Sequence, residues 1–351
     1  MSKVRIDALQ SFCEQALIKA GMNGEHARIT AVALSEMEAY GIHSHGTKNV
    51  RDYINKAVAG GLDIRAEPVV EKDALATCVV DAQNGMGIVP SVQAMELAVQ
   101  KASKTGLGLV TVKNSMHFGA NAYYANLAAK RGMLALVMSN TNSNMTAPGA
   151  KKSVIGNNPL AFAAPAKTIP TVFLDIAMSN VAALKVIKAR NEGQAVPDTW
   201  IVDENGQPTG DPSEFPQKGA LQPMGGHKGY GLAVMVEAFT GVLCGGTTSV
   251  SGELFGWLAN LAVPNRACHT FLAVNPEMFC DTDDYAQRIE QMASHLREKE
   301  KAAEAGRIYL PGEIEWERYR TAEKEGLLLP PDVLASLDEL AKKFGLTLEK
   351  A

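Results

Sequence analysis

Apolar residues recur at helical spacing through the first forty residues of the chain. The members of this pattern are Leu9, Phe12, Leu17, Ile29, Val32 and Leu34. Because residues three or four apart share one face of a helix, the pattern predicts two or more helices, with a break at residues 21–24 (GMNG). A further helix is predicted over residues 50–58, and Gly60 with Gly61 supplies its C-terminal stop.

Beyond residue 70 the pattern alternates between strand-like and helix-like segments. Strands are predicted over 76–81, 107–112 and 134–138, and helices over 92–102 and 120–130. Residues 160–176 are strand-like and interrupted by Pro165 and Pro170, and residues 197–212 have turn chemistry throughout. The alternation predicts an α/β fold.

The last third of the chain contains three helix-like stretches. Residues 229–246 carry a single charge, on Glu237, and several glycines, so the run is too short to cross a bilayer comfortably and predicts a buried helix. Residues 284–305 and 331–344 alternate charged and apolar positions at helical period, which is typical of amphipathic surface helices.

Composition narrows the class of partner. The 351 residues carry a formal net charge of -4, which gives no basic surface for nucleic acid or for an anionic membrane, so we expect a small-molecule partner. The five cysteines are scattered and form no C-x-x-C pair, which favours reduced thiols. The N-terminal residues lack the apolar core of a secretory signal. We therefore expect a cytoplasmic protein.

Nucleotide-binding motifs of the usual kinds are missing. No G-x-G-x-x-G follows a predicted strand and no G-x-x-x-x-G-K-[ST] loop occurs, so an ordinary Rossmann fold has little support. The best alternative is GGHKGYG at 225–231, where Lys228 precedes an apolar helix and would face a phosphate. The turn GNNP at 156–159 is a second candidate. Plain loop architecture explains either segment equally well.

Histidine chemistry concentrates in two short segments. GIHSHG at 41–46 holds His43 and His45, and His117 follows the end of a predicted strand, where α/β proteins place reactive groups. An imidazole there suits general acid or base catalysis, and a histidine merely hydrogen-bonded at a helix start is the competing interpretation. We expect no metal, because H-x-H lacks a third ligand at zinc spacing. Ser44 does not lie in a G-x-S-x-G elbow, so proton transfer is favoured over nucleophilic attack.

Seven motifs in order resemble one family along almost the whole chain. They are GIHSHG at 41–46 with Tyr53 downstream, MHFGA at 116–120, GNNPLAFAAP at 156–165, LDIAMS at 174–179, PDTW and PTGDP within 197–212, HKGYGLA at 227–233, and YLPGE at 309–313. The sequence is similar to the malate/L-lactate dehydrogenase superfamily, which does not use the Rossmann fold. That superfamily also contains ureidoglycolate and sulfolactate dehydrogenases, diketogulonate reductase and a cyclic-imine reductase.

The resemblance implies a fold and an activity. It implies an α/β protein with a non-Rossmann, mixed-sheet core at 71–282 that binds NAD or NADP, with NAD favoured, and the substrate. Residues 1–70 and 283–351 would form a helical domain from both chain ends. The implied reaction is hydride transfer between a nicotinamide and C2 of a 2-hydroxy or 2-oxo acid. Relatives are homodimers with the active site between subunits.

Residue roles are implied motif by motif. His117, and His45 with Ser44, correspond to the acid/base groups, and members of the family differ in which histidine has that role. The implied cofactor contacts are Thr141, Asn142, Asp175, Ile176, Ala177, Lys228, Gly312 and Glu313. The implied substrate contacts are Lys48, Asn49 and Tyr53.

One position departs from the family pattern. Many relatives carry an arginine where this chain has Asn49, and asparagine cannot form a bidentate, charge-assisted clamp on a carboxylate. Dicarboxylate or ureidoglycolate specificity is therefore not carried over to this chain from its relatives. The resemblance as a whole gives as the leading hypothesis a malate- or lactate-like 2-hydroxyacid dehydrogenase. The alternatives are a ureidoglycolate dehydrogenase, a reductase of a cyclic imine acid or a diketo sugar acid, and, in a different class, an inactive ligand-binding scaffold.

Overall fold

The computed structural model describes residues 3–349 and contains a mixed sheet with helices on both faces. The helices are α1 (Ile6–Lys19), α2 (Gly24–Ala39), α3 (Asn49–Val58), α4 (Ile88–Thr105), α5 (Asn121–Ala129), α6 (Ala183–Asn191), α7 (His227–Glu237), α8 (Thr282–Arg297), α9 (Glu313–Glu325) and α10 (Pro331–Phe344). The strands are β1 (Val69–Asp73), β2 (Thr77–Asp81), β3 (Leu107–Ser115), β4 (Leu134–Ser139), β5 (Leu160–Ala164), β6 (Val172–Ile176), β7 (Ile201–Val202), β8 (Pro208–Thr209), β9 (Ala220–Leu221) and β10 (Ala267–Val274).

The main sheet has seven strands in the order β1-β2-β3-β10-β4-β5-β6. Only β2 and β3 run parallel, and every other neighbouring pair is antiparallel. The late strand β10 lies between β3 and β4, with Phe271 opposite Val110 on one side and Val137 on the other. A second, small sheet has the order β8-β7-β9. The expected mixed-sheet α/β class is confirmed.

The two faces of the sheet are covered by different helices. Phe271 of β10 packs against Tyr124 of α5, whereas the neighbouring Thr270 donates a hydrogen bond to the Phe239 carbonyl in a π-helical turn (Ala238–Val242) that continues α7. Successive strand residues point to opposite faces, so α5 and the α7 segment lie on opposite sides of the sheet. The α4 helix packs on β2, β3 and β10.

The two ends of the chain meet beside α3. The Val4 backbone pairs with Leu327, Lys48 contacts Asp332, and α10 packs on α1 and α3. The other C-terminal helix, α8, instead packs through Ala293 near Val172 on β6. The division into a helical domain from both ends and a core at 71–282 stays a prediction.

Most predicted elements are present at nearly the predicted positions, including the break between α1 and α2 and the whole of α10. Asn23 caps α2 by accepting from the His26 N–H at 2.8 Å, and Gly106 ends α4 with φ 84°. The strand-like stretch 160–176 is the hairpin of β5 and β6. The sequence pattern did not predict β1, β9, β10, α6 or α9, and the short strands β7 and β8 lie in the stretch 197–212 that was predicted to have turn chemistry throughout.

Two predicted helices were wrong in extent or burial. The helix predicted over 284–305 ends at Arg297, because the following charged residues contact no apolar surface and are exposed. The predicted buried helix at 229–246 is α7 with its π-helical turn, but large apolar side chains along it are exposed: Leu232, Val234, Met235, Phe239, Val242 and Leu243. Within residues 3–349, none of the helices combines the length and apolar character needed to cross a membrane.

Candidate active site

A buried carboxylate holds the GIHSHG segment. Glu38, near the end of α2, is fully buried; it accepts hydrogen bonds from the Thr47 N–H at 2.8 Å and the Thr47 hydroxyl at 2.9 Å, and it contacts the His43 ring. A Cβ at Gly46 would lie 2.2 Å from this carboxylate, so the loop requires glycine there. Glu38 thereby holds the short turn His43–His45 at its first residue and at Thr47, two residues beyond its end.

The α3 helix contacts both histidine segments. Its first residue, Asn49, is buried and donates through Nδ2 to the Ser44 carbonyl at 3.1 Å. One turn later the Tyr53 hydroxyl lies 2.8 Å from Nδ1 of His117, within hydrogen-bonding distance. Burial raises the pKa of Tyr53, so its hydroxyl is neutral and can donate. The helix therefore fixes one nitrogen of His117 and leaves Nε2 available.

Three aromatic rings form a stack. The His45 and His117 rings lie 5.3 Å apart, and the indole of Trp257 lies 4.5 Å from His117, tilted by 12°. Ser44 Oγ is 2.8 Å from Nδ1 of His45. Burial, with a smaller contribution from Lys48, lowers the pKa of His45 to about 4, and burial with the neighbouring His45 and His269 lowers the pKa of His117 well below its usual value. Both imidazoles are therefore neutral at pH 7.

A cavity of about 400 Å³ opens beside this stack. Several of the predicted site residues line it. They are the acid/base candidates Ser44 and His45 and the expected cofactor contacts Thr141, Asp175, Ala177 and Gly312. This size lies within the usual range for small-molecule sites. Segments far apart in sequence, at 42–45, 119–121, 141, 157–159 and 173–177, thus share one concave surface.

The turn at 156–159 holds Thr141. The Thr141 N–H donates to Asn158 Oδ1 at 3.0 Å, and its hydroxyl donates to Asn157 Oδ1 at 3.0 Å. A Cβ at Gly156 would lie 2.3 Å from the Thr141 carbonyl, so this close approach needs glycine. This second candidate segment therefore positions Thr141 and also contributes Asn157 to the cavity wall.

Asp175 closes the cavity beside the start of α5. Its carboxylate accepts from the Ala122 N–H at 2.8 Å, and helix N-termini favour negative charge there. Burial raises the pKa of Asp175 to about 6 despite hydrogen bonds from Ala122 and Asn121 that lower it. The neighbouring Asn121 is 2% exposed, and its Oδ1 atom has no hydrogen-bond partner within the described part of the chain.

The remaining predicted site residues lie outside the residues that line this cavity, and they include His117, Asn49 and Tyr53. Ile176 pairs with Leu160 in the sheet, Asn142 borders Gly256, and Glu313 binds Arg297 and the Leu310 N–H. Lys228 is exposed in the first turn of α7, and Gly225 and Gly226 just before it line a separate cavity of about 610 Å³. Lys48 lies 3.1 Å from Asp332.

Sequence reasoning missed three residues of this region. Glu38 lies in an ordinary helical pattern, Asn121 follows the MHFGA motif, and Trp257 lies in a loop without periodicity. The signal that could have indicated Glu38 is its position on the buried face of α2, because a buried carboxylate needs hydrogen-bonding partners. Trp257 is 140 positions from His117 in the chain, so no local pattern could connect them.

Comparison with known proteins is consistent with this architecture. The family model described as malate/L-lactate dehydrogenase matches residues 4–338. The chain belongs to the malate/L-lactate dehydrogenase family. It is 33% identical to a malate dehydrogenase from Pyrococcus abyssi over 97% of this chain and 94% of that protein. It is 31% identical to an L-sulfolactate dehydrogenase from Methanocaldococcus jannaschii, over 99% of this chain and 96% of the relative.

A solved structure agrees with the fold. The crystal structure of malate dehydrogenase from Entamoeba histolytica superposes with a TM-score of 0.91 at 29% identity, covering 99% of each chain. Members of the malate/L-lactate dehydrogenase family are oxidoreductases, so the expectation of an oxidoreductase is confirmed. The inactive scaffold considered from Asn49 alone loses its support.

Proposed function

We propose that this member of the family transfers hydride between a nicotinamide cofactor and C2 of a 2-hydroxy or 2-oxo acid, with His45 and His117 as the acid/base pair and Ser44 as the partner of His45. The observation that carries the proposal is the stack of two neutral imidazoles, 5.3 Å apart, beside a cavity lined by Thr141, Asp175 and Gly312. Hydride transfer at a carbinol carbon requires a base within reach of the hydroxyl, and imidazole suits that task.

The residues fit a nicotinamide nucleotide. Asn121, at the cavity wall, offers a buried acceptor that finds no partner in residues 3–349, and such an atom is costly unless a ligand donates to it. Thr141 and Asn142 would hold the nicotinamide end, and the cofactor would extend over Asp175, Ile176 and Ala177, with further contacts at Lys228, Gly312 and Glu313. When bound, the nicotinamide supplies the hydride acceptor in oxidation and the donor in reduction. NAD is proposed over NADP.

The chain's own residues perform the proton transfer. In oxidation, a neutral imidazole would take the hydroxyl proton as the hydride leaves, and Tyr53 holds Nδ1 of His117, so that proton transfer by this ring would use Nε2. In reduction the same imidazole returns the proton. Because the pKa of both histidines is lowered, the basic form prevails at neutral pH, so we expect reduction to accelerate as the pH falls.

Substrate charge is proposed to be met by Lys48. It is the cation that contributes to the lowered pKa of His45, so it lies close enough to attract a carboxylate beside that ring. Asn49, whose amide already binds Ser44, and Tyr53 would complete the substrate contacts. A single flexible ammonium discriminates less sharply than a bidentate guanidinium, which favours a monocarboxylate or a loosely held second carboxylate.

We further propose a homodimer in the cytoplasm. The exposed apolar side chains of α7 and its π-helical turn form one continuous stretch, and contiguous apolar surface of this kind marks association sites. The five cysteines are free thiols, which suits a reducing compartment. The small-molecule partner would then bind near a subunit boundary, as the family resemblance implies.

A substrate panel tests the proposed function. L-malate, L-lactate, sulfolactate, ureidoglycolate, a cyclic imine acid and a diketo sugar acid would each be followed at the NAD(P)H absorbance with either cofactor. His117→Ala and His45→Ala should each lower kcat by about 10²- to 10⁴-fold while cofactor binding is retained. Wild-type turnover on none of these compounds, or full activity in both variants, would rule the proposal out.

A further inference from the structure

A buried lysine has no role in the chemistry proposed above. Lys56, in the last turn of α3, is fully buried, and its ammonium donates to the Asn260 carbonyl at 3.0 Å and the Val263 carbonyl at 2.7 Å. Among residues 3–349, no carboxylate forms an ion pair with it. Burial lowers its pKa. Burying an ammonium that binds two carbonyls and no carboxylate costs free energy of folding, so we expect Lys56 to have a role that offsets this cost.

The two carbonyls belong to a loop at 256–263, here called the strap. Much of the strap is exposed to solvent, so few contacts fix its position. A second contact lies at the end of α3, where a Cβ on Gly61 would be 2.2 Å from the Leu261 carbonyl. Lys56 thus holds the strap on α3 through two hydrogen bonds to backbone oxygens, and a third backbone oxygen, that of Leu261, lies close to Gly61 just beyond the helix.

The strap carries the indole that covers His117. Trp257 stacks on His117 at 4.5 Å and also packs 5.2 Å from Tyr53, the residue that contacts Nδ1 of the same histidine. Tyr53 and Lys56 lie three residues apart on α3, so both belong to one face of the helix. One helix therefore holds His117 directly through Tyr53 and indirectly through the strap.

We propose that Lys56 is a positioning residue: by anchoring the strap, it keeps Trp257 stacked on His117 and so fixes and shields that imidazole. This inference rests on the proposed function for its catalytic consequence, but not for its structural content. The ionisable groups that face His117 are His45 from the GIHSHG turn, His269 from β10 and Tyr53 from α3. Trp257 is the member of that surround that does not titrate, and its displacement would admit water to His117.

The test measures the fluorescence of Trp257. The chain has three tryptophans, so a Trp200→Phe/Trp316→Phe parent leaves only Trp257 to emit. In this parent, Lys56→Met should shift the emission to longer wavelength and increase quenching by acrylamide, because the strap detaches. Lys101→Met is the matched control, since Lys101 also donates to a backbone carbonyl, Ala74 at 2.7 Å, but far from the strap. It should leave the emission unchanged.

Kinetics add a readout that general destabilisation would not produce. In the natural background Lys56→Met should lower kcat roughly tenfold at unchanged KM for the cofactor, because a small misplacement of a reacting group is costly. The acid limb of its pH profile should move to higher pH as water reaches His117. Gly61→Ala, which displaces the strap without removing a charge, should reproduce both changes and decides the matter if Lys56→Met fails to fold.

The outcomes separate this inference from the proposed function. Emission and quenching identical to the parent in a folded Lys56→Met or Gly61→Ala variant would overturn the positioning role. Changed emission in a protein that turns over no 2-hydroxy acid would retain the anchoring by Lys56 and reject the dehydrogenase chemistry. Changed emission with unaltered kcat and pH profile would also overturn the proposal, because the strap would then not act on His117.

Discussion

The helices α3 and α7 differ in how far their own chain covers their side chains. On α3 the side chains of Asn49, Tyr53 and Lys56 are buried, and each contacts a named atom of the same chain. On α7 the side chains of Leu232 and Met235 are 43% and 53% exposed, and the residues between Lys228 and Glu237 carry no charge. The chain therefore surrounds its histidines with its own residues and leaves these α7 side chains exposed.

The largest effect is expected where the internal network is most deeply buried. Glu38→Leu removes the acceptor for Thr47 and His43, and we expect the free energy of unfolding to fall by about 3 kcal/mol, since the donors left behind are buried. Urea unfolding measures it. The control is Glu67→Leu, whose exposed carboxylate pairs loosely with His26 and should matter by less than about 0.5 kcal/mol. Equal losses in both variants would show that the GIHSHG turn does not depend on Glu38.

The same comparison explains what the sequence could predict. Periodicity located α2, α3 and β3, and with them the positions of His45 and His117, because local spacing determines which face of an element is buried. The strand β10 was missed, since it is buried on both faces and its near-continuous apolar run lacks alternation. Trp257 and Lys56 meet only through tertiary packing, so no local rule connects them.

Exposure on α7 was mispredicted for a related reason. Apolar content alone cannot distinguish a helix buried in its own chain from one buried against a partner. In α7 the structure of one chain leaves much of the apolar face exposed. Lys228, placed correctly at the helix start, followed from the glycines before it.

A charge introduced on α7 tests whether its exposed apolar face mediates self-association. Met235→Glu is expected to weaken self-association about 100-fold, because a carboxylate would be buried among apolar side chains. Sedimentation velocity would show the loss of a species of twice the 37.4 kDa chain mass. Ile18→Glu, on an apolar residue of α1 that is 44% exposed, is the control and should leave the mass unchanged. A wild-type protein that is monomeric at micromolar concentration would contradict the proposed interface.

Acid should destabilise the histidine region selectively. His269 is fully buried between Ser115 and Ser139, and burial lowers its pKa from 6.5 to about 3. On acidification the unfolded chain takes up this proton first, so the stabilisation is present above about pH 6.5 and is lost as the pH falls toward 3. The contribution is about 1.4 kcal/mol per pH unit.

Unfolding in urea at about pH 7, 6 and 5 would measure this slope. His269→Asn should make the dependence shallower, whereas His295→Asn, on the exposed surface of α8, should not change it. A slope that is identical in all three proteins would mean that His269 titrates normally in the folded chain.

The smallest effect is expected on cofactor affinity, at a buried asparagine that also lines the cavity. Asn121 and Asn126 both lie on α5, both are buried, and each has an amide oxygen without a partner among residues 3–349, but only Asn121 lines the cavity. If the carboxamide of the nicotinamide donates to Asn121 Oδ1, Asn121→Ala should weaken NADH binding roughly fivefold, or about 1 kcal/mol. Asn126→Ala should not affect binding, whatever it does to stability.

The same hydrogen bond can also be tested by removing its donor from the cofactor. The 3-acetylpyridine analogue of NADH carries a methyl ketone in place of the carboxamide and therefore has no N–H to donate. The unsubstituted protein should bind this analogue less tightly than NADH, and Asn121→Ala should bind the two alike, because each change removes one partner of the same hydrogen bond. Calorimetric titration of both ligands completes the cycle. Additive losses would instead place the donor of the Asn121 acceptor elsewhere on the cofactor or on the substrate.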